Sequence, residues 1–380
     1  MTDIYEGAAP GVHIEEVTPA GPIAGAGTST AALIGTVADL GSQTLDVPVA
    51  VTSWSDYTRA FGGYDSTKIL PYAVRGFFEN GGSLAYVVPV KDDKKLDGAI
   101  DKLSRNAEIS LVAAPGVTDA AAQKALIGHC EAMGDRFAIL DGVPDATPLK
   151  GDGALQTQRK GLVSVRGYAA LYWPWLVVAN PAATKEPFTL PMPPSGHIAG
   201  VMARSDATRG VHKAPANEPV RGALDLGYAL NDTEQGALNK ANINAIRSFP
   251  GGGPATVWGA RTLTSDTPWR FVNVRRLFSY VEDSILQGVR WAVFEPNNTA
   301  LWKGLERTIS EFLTRVWQSG ALFGTTAAEA FYVKIDEELN PPATRALGRV
   351  VIEIGMNPAG TAEHVVVRIG IWAGGDGNQG

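Results

Sequence analysis

Short apolar runs alternate with amphipathic stretches along the chain from Ala31 to Val178. Ala31 to Val37, Ala85 to Val90, Ile109 to Ala114, Arg136 to Asp141 and Ala169 to Val178 are compact and bounded by turn residues, the pattern of strands buried on both faces. Ile69 to Glu79, Leu96 to Arg105, Ala120 to Met133 and Ala154 to Val165 lie between them with helical spacing. The alternation predicts an α/β unit with a largely parallel sheet covered by helices. A proline-rich belt follows from Pro181 to Pro219, with a helix expected over Gly196 to Ala203. Beyond it the pattern predicts a strand over Ala223 to Leu230, a helix over Asn239 to Arg247, a turn at Pro250 to Pro254 and a strand over Thr256 to Thr262.

The last third reads differently. Helices are expected over Val272 to Gly288 and Thr299 to Ser319, and in the second Trp302, Leu305, Ile309, Phe312, Val316 and Trp317 make an apolar stripe. Strands then follow without a long helix between them. Phe331, Val333 and Ile335 alternate with Tyr332 and Lys334, and Val350, Ile352 and Ile354 alternate with Val351 and Glu353. A third strand pattern runs through Glu363, His364, Val365, Val366, Val367, Arg368, Ile369, Gly370, Ile371 and Trp372. This is an α+β unit ending in an antiparallel sheet.

The start of the chain is rich in Gly and Pro and buries little. Inside it Val12, His13, Ile14, Glu15, Glu16 and Val17 alternate as one strand, and a lone terminal strand needs a host sheet. The expected division is an N-terminal arm over 1–27, an α/β domain over 28–261, an α+β domain over 262–361 and a C-terminal arm over 362–380. A chain of 380 residues is long enough for two cores.

Composition narrows the function. With 45% hydrophobic and 19% charged residues the chain is globular, and its net charge of −6 offers no basic field for nucleic acid. The single cysteine, Cys130, reads as a core filler. Met1 to Tyr5 lacks the positive start of a signal peptide, and the longest apolar run, Ala169 to Ala179, is interrupted by Pro174, so no membrane insertion is expected. The chain is expected to be made and kept in a cytoplasm unless a lysing cell or an assembled particle carries it out.

The chemistry-bearing residues do not converge. The five histidines are scattered, without metal-ligand spacing, and Gly251, Gly252 and Gly253 lack the Gly-Lys-Ser/Thr ending of a phosphate loop. Ser195, His197 and Asp206 are the residue types of a nucleophilic triad, but the Gly-x-Ser-x-Gly elbow is absent and loop capping explains them better. Arg270, Arg275 and Arg276, between Trp269 and Phe271, read as structural ion pairs or an interface. No cofactor, catalytic residue or metal ligand is expected.

Landmarks along nearly the whole chain carry a resemblance. They are Pro10 to Val17, Ala73 to Gly82 with Ala85 to Val88, Pro193 to Gly200, Arg209 to Asn217, Phe249 to Gly253 with Val257 to Thr262, Trp269 to Arg276, Phe294 to Asn297 with Leu301 and Trp302, and Ala362 to Ile369. In this order they are similar to contractile tail sheath proteins, those of phage tails, R-type bacteriocins and extracellular contractile injection systems. The resemblance implies a subunit that polymerises as stacked hexameric rings around an inner tail tube and contracts to drive the tube through a target envelope.

It also implies an outer α/β domain of non-catalytic subtilisin-like fold and an inner domain facing the tube. Arms at both ends would donate strands to neighbouring subunits. The partners would be copies of the chain, the tube protein, and baseplate and tail-terminator or cap proteins. The location would be the cytoplasm of the producing bacterium during assembly, then the virion tail or released particle. Lys303, Arg307 and Arg315 on the second long helix are candidate tube-facing cations; their spacing equally fits a solvated face, and the resemblance favours the tube. The alternatives are another tail component, tube or baseplate, and a cytoplasmic α/β enzyme using the Pro181 to Pro219 belt.

Overall fold

The chain enters its main sheet at β1 (Ala31–Gly35), followed by β2 (Val49–Val51), α1 (Trp54–Phe61), α2 (Leu70–Glu79), β3 (Ala85–Pro89), α3 (Asp97–Leu103) and β4 (Leu111–Ala113). It continues through α4 (Ala120–Met133), β5 (Phe137–Asp141), α5 (Ala154–Lys160) and β6 (Ala169–Trp173). The computed structural model describes residues 21–144, 153–249 and 251–364. The strand pattern at Val12 to Val17, and that at Glu363 to Trp372 from Val365 onward, lie outside them.

The local signals explain these elements. Ser53 caps α1 by accepting from the Asp56 amide at 3.1 Å. Asp119 caps α4 through the amides of Ala121 and Ala122, and Gly134 ends it with φ 75°, a left-handed position that glycine takes without strain. Residues of β1 alternate between two cores, as period two requires. Ala31 and Leu33 pack toward α1 and α2, and Ala32 and Ile34 toward α3, α4 and α5.

The strand expected over Ala169 to Val178 divides in two. Pro174 has no amide to donate to a ladder, so β6 ends at Trp173 and β7 (Leu176–Ala179) joins a separate sheet with β8 (Thr189–Met192). Next come α6 (Ser195–Arg209), longer than the segment expected, β9 (Glu218–Pro219), β10 (Ala223–Leu226) and α7 (Asp232–Lys240). The helix expected over Asn239 to Arg247 is corrected: those residues are the end of α7, a turn with Asn242 at φ 54°, and the strand β11 (Ile243–Arg247). Asn231 and Glu234 form a reciprocal capping box that starts the helix earlier, and β11 is buried along its whole length between parallel β6 and antiparallel β12 (Thr256–Val257).

The main sheet has nine strands in the order β2-β3-β1-β4-β5-β6-β11-β12-β9, parallel from β3 to β11 and antiparallel at both edges. A three-stranded antiparallel sheet, β10-β7-β8, stands beside it. The chain then runs through α8 (Val272–Gly288), α9 (Thr299–Gln318), α10 (Ala327–Ala330), β13 (Phe331–Lys334), α11 (Pro342–Ala346) and β14 (Glu353–Met356). β13 and β14 pair antiparallel, Val333 opposite Ile354. The expected stripe of α9 forms its buried face: Trp302, Leu305, Ile309, Phe312 and Val316 pack with α8 and with Phe331, Val333, Ile352 and Ile354. Hydrogen-bonded pairing of β14 begins at Glu353, three residues later than the alternation suggested.

Candidate functional site

The residues with the look of a triad point in three directions. Ser195, at the start of α6, donates both its amide (2.8 Å) and its hydroxyl (2.7 Å) to the carboxylate of Asp141 at the end of β5, which also accepts the Gly116 amide at 3.0 Å. Ser195 and Asp141 are fully buried, and burial pushes the Asp141 carboxyl up to about 6 against the effect of these hydrogen bonds. The His197 ring lies on Gly76 of α2, where a side chain on residue 76 would overlap it. Its Nδ1 has no hydrogen-bond partner, and burial pushes its pKa down to about 4. Asp206 lies three turns along α6 and pairs with Arg276. A nucleophile needs access for substrate as well as a base, and the Ser195 hydroxyl and the Asp141 carboxylate that holds it are both closed off from solvent, while the His197 Nδ1 makes no hydrogen bond. The cluster pins α6 and α2 to the ends of the sheet.

The Asp206–Arg276 pair belongs instead to a junction between the main sheet and α8. Arg276 donates from Nη1 to Asp206 Oδ1 (3.0 Å) and from Nη2 to the Thr28 carbonyl (2.8 Å), and the Thr28 hydroxyl donates to Asp206 Oδ2 (2.7 Å). Arg275 lies between the rings of Tyr168 and Trp269, at 4.5 and 4.4 Å from their centroids. The Ser279 hydroxyl reaches back to the Gly134 carbonyl at 2.9 Å. The basic cluster around Trp269 is therefore structural at Arg275 and Arg276, as its sequence suggested.

Residues 23–28 form a strap over α8 and α9, and Thr30 then joins the main sheet through the Ser110 and Leu111 amides. Ile23 is buried against Leu277, Val281 and Phe312; its carbonyl accepts from Arg315 at 2.6 Å, and the Ala26 amide donates to the Ser284 hydroxyl at 2.9 Å. At the other end Arg261 holds Glu363 through paired hydrogen bonds, and Thr361 donates to Asn273 at 2.8 Å. Both ends of the described chain thus leave from anchored positions. Sequence reading missed this strap, because Ile23 is a lone apolar residue in a Gly- and Pro-rich stretch.

The cations on α9 do not form one line. Lys303 is exposed and paired with Glu306 at 2.7 Å, and Arg307 is exposed with no ion pair among the described residues. Arg315 is turned about 120° from Lys303 by helical geometry and is engaged with the strap. His364 is exposed beside anchored Glu363. Among the described residues no cluster of His, Cys, Asp and Glu could hold a metal ion, and no helix is long and apolar enough to cross a membrane.

Residues 91–263 match the phage tail sheath protein central domain, and residues 264–371 the phage tail sheath C-terminal domain. A putative prophage major tail sheath protein of Pseudomonas aeruginosa (strain UCBPP-PA14) is 29% identical over 357 residues, 85% of each chain. The sheath of the extracellular contractile injection system PVC, in its contracted state, superposes with a TM-score of 0.80 at 30% identity, covering 95% of this chain and 97% of that one. The contracted helical sheath of the anti-feeding prophage gives 0.78 at 31% identity, covering 95% and 99%. With sheath domains matched over most of the chain and sheath subunits superposing on nearly all of it, the chain belongs to the phage tail sheath protein family and is a structural subunit, not an enzyme.

Proposed function

We propose that the chain polymerises as stacked hexameric rings around an inner tube, joins a baseplate at one end and a terminator or cap at the other, and contracts to drive the tube through a target envelope. The observation that carries this reading is the likeness to contracted sheath subunits over 95% of the chain. The work of contraction would be stored in subunit contacts at assembly, as two packings of rigid bodies separated by a barrier. Residues 28–261 would form the outer domain, of subtilisin-like type, and 262–361 the inner domain, with Lys303 and Arg307 toward the tube and Arg315 behind them holding the strap. Assembly would take place in the cytoplasm of the producing bacterium.

The arms would connect the rings. Residues 12–17 and 363–372 are strand patterns whose apolar burial is largely offset by the entropy of ordering them, so linkage depends on many arms closing together. Anchors at Ile23 and Glu363 suit this role, because each arm then departs from a fixed point. Deletion of residues 1–17, or Val366→Pro, is expected to leave a folded, soluble subunit that forms no tubes or cylinders in electron micrographs. Normal sheaths from either variant would refute strand exchange as the link.

A further inference from the structure

After β14 the chain leaves the hairpin it has just completed and crosses to the main sheet. It first runs beside residues 321–330: the Asn357 amide donates to the Ala330 carbonyl at 2.9 Å, the Phe323 amide to the Asn357 carbonyl at 2.8 Å, and the Ala359 amide to the Ala321 carbonyl at 3.0 Å. The Thr361 hydroxyl then reaches Asn273 at the start of α8. Glu363 arrives at Arg261, whose backbone is fixed to β11 by both side-chain atoms of Asn244, at 2.6 and 2.8 Å. None of residues 357–364 is buried, so the crossing is held by polar contacts and not by a core.

Its last contact is its strongest. Arg261 Nε donates to Glu363 Oε1 at 2.9 Å and Nη2 to Oε2 at 2.5 Å, a fork on a carboxylate, with the two side chains only 16% and 19% exposed. On its far side Nη1 donates to the Asn239 carbonyl at the end of α7 at 2.8 Å, so the guanidinium is oriented without help from Glu363. The other end of the chain has the mirror arrangement, since the residues that precede the main sheet are rooted on α8 and α9 through Ile23 and Arg315. Each end is thus fixed to the unit that it does not adjoin in sequence.

We infer that Arg261 and Glu363 form a clamp that roots the C-terminal arm on the nine-stranded sheet, so that tension in the arm enters that sheet through the guanidinium fork and spares residues 357–362. This rests on the reading that the arms link the rings, and it makes Arg261 a positioning residue for strand donation. Without the fork, a pull on the arm would peel those six residues from the hairpin one hydrogen bond at a time, moving its root by up to about 20 Å. That is several times the ~4.8 Å between neighbouring strands, and a donated strand would lose its place in the host sheet.

Full-length subunit tests the clamp, with sheath formation followed by sedimentation and electron microscopy and Tm measured before assembly. Glu363→Ala is expected to leave Tm within about 2 °C of the parent, since a partly exposed pair outside the core adds little to stability. It should raise the protein concentration for half-maximal sheath formation by about tenfold or more, because an unrooted arm has a lower effective concentration beside its neighbour. Arg261→Ala should lose assembly to the same extent, with some loss of Tm as the Asn239 carbonyl gives up its donor, and the double variant should assemble no worse than Arg261→Ala. A double variant much worse than Arg261→Ala would mean that Glu363 acts on another partner, and a Tm loss in Glu363→Ala that accounts for its assembly loss would make the pair purely structural; either overturns the clamp. Normal sheaths from Glu363→Ala, where Val366→Pro gives none, remove the clamp and keep the arm as the link. Normal sheaths from both remove both readings.

Discussion

Asp141 and His197 flank the start of α6, and their buried side chains respond to pH in opposite senses. The Asp141 carboxyl is raised from 3.8 to about 6 by burial, so the folded chain takes up a proton more readily than the unfolded one. Its contribution is fully present below about pH 4 and is lost as pH rises through about 6. His197 is lowered from 6.5 to about 4 by burial, so its contribution is present above pH 6.5 and lost as pH falls through about 4. Between pH 4 and 6 the two slopes oppose each other and largely cancel. Because His129 is also lowered to about 4 by burial and keeps its own slope, the test is the difference from the parent: the His197→Asn midpoint relative to that of the parent should fall as pH rises from 4 to 6. Asp141→Asn should expose the His197 slope, a midpoint that rises relative to that of the parent over the same window. Parallel profiles for parent and both variants would mean that neither group titrates as described. The sequence marked Ser195 and His197 as noteworthy but paired them with Asp206. The true partner of Ser195 comes from β5, and only the crossover topology brings it there.

The packing of α2 on α6 depends on glycines. A Cβ on Gly200 would meet the Phe77 carbonyl and stand 2.7 Å from the Asn80 Cβ, and one on Gly196 would meet Ala73. Gly200→Ala is therefore expected to destabilise the subunit by about 1–3 kcal/mol through overpacking. Gly236→Ala on α7, where the added methyl meets nothing within 4 Å, should be neutral or stabilising by up to about 1 kcal/mol from helix propensity. Denaturant midpoints of the two variants check the contrast, and equal shifts would refute close packing as the cause. Elements with strong end signals were legible in the sequence: α4 lies between Asp119 and Gly134, and both α4 and α8 have the bounds the pattern predicts. The small pieces β2, α1 and β8 were not, being too short for periodicity to register. α7 and β11 were misread because the apolar residues of a strand buried on both faces blend into the preceding helix. The capping box at Asn231 and Glu234 was the overlooked signal.

At the scale of the whole molecule, the strap, the main sheet and the α8–α9 unit meet at one buried ion pair. The side chains of Asp206 and Arg276 are 5% and 4% exposed, and both hold Thr28. Their pairing was not visible in the sequence, which offers no rule linking a helix of the proline-rich belt to another 70 residues on. A buried pair is weak evidence for net stability, but removing one partner strands a charge. Asp206→Ala leaves the Arg276 guanidinium with only the Thr28 carbonyl, and a loss of about 3–5 kcal/mol is expected. Asp206→Ala with Arg276→Met should recover part of that loss, since the stranded charge is gone and a side chain of similar length fills the space. Arg275, Ser279 and Asn273 also tie α8 to the rest of the chain, so unfolding should remain a single transition with a lowered midpoint. Tryptophan fluorescence and far-ultraviolet circular dichroism should coincide along the denaturant curve for parent, single and double variants. An Asp206→Ala midpoint equal to that of the parent would show that Arg275, Ser279 and Asn273 hold the junction without the ion pair. Separate transitions in the parent would show that the strap and ion pair do not couple the main sheet to the α8–α9 unit.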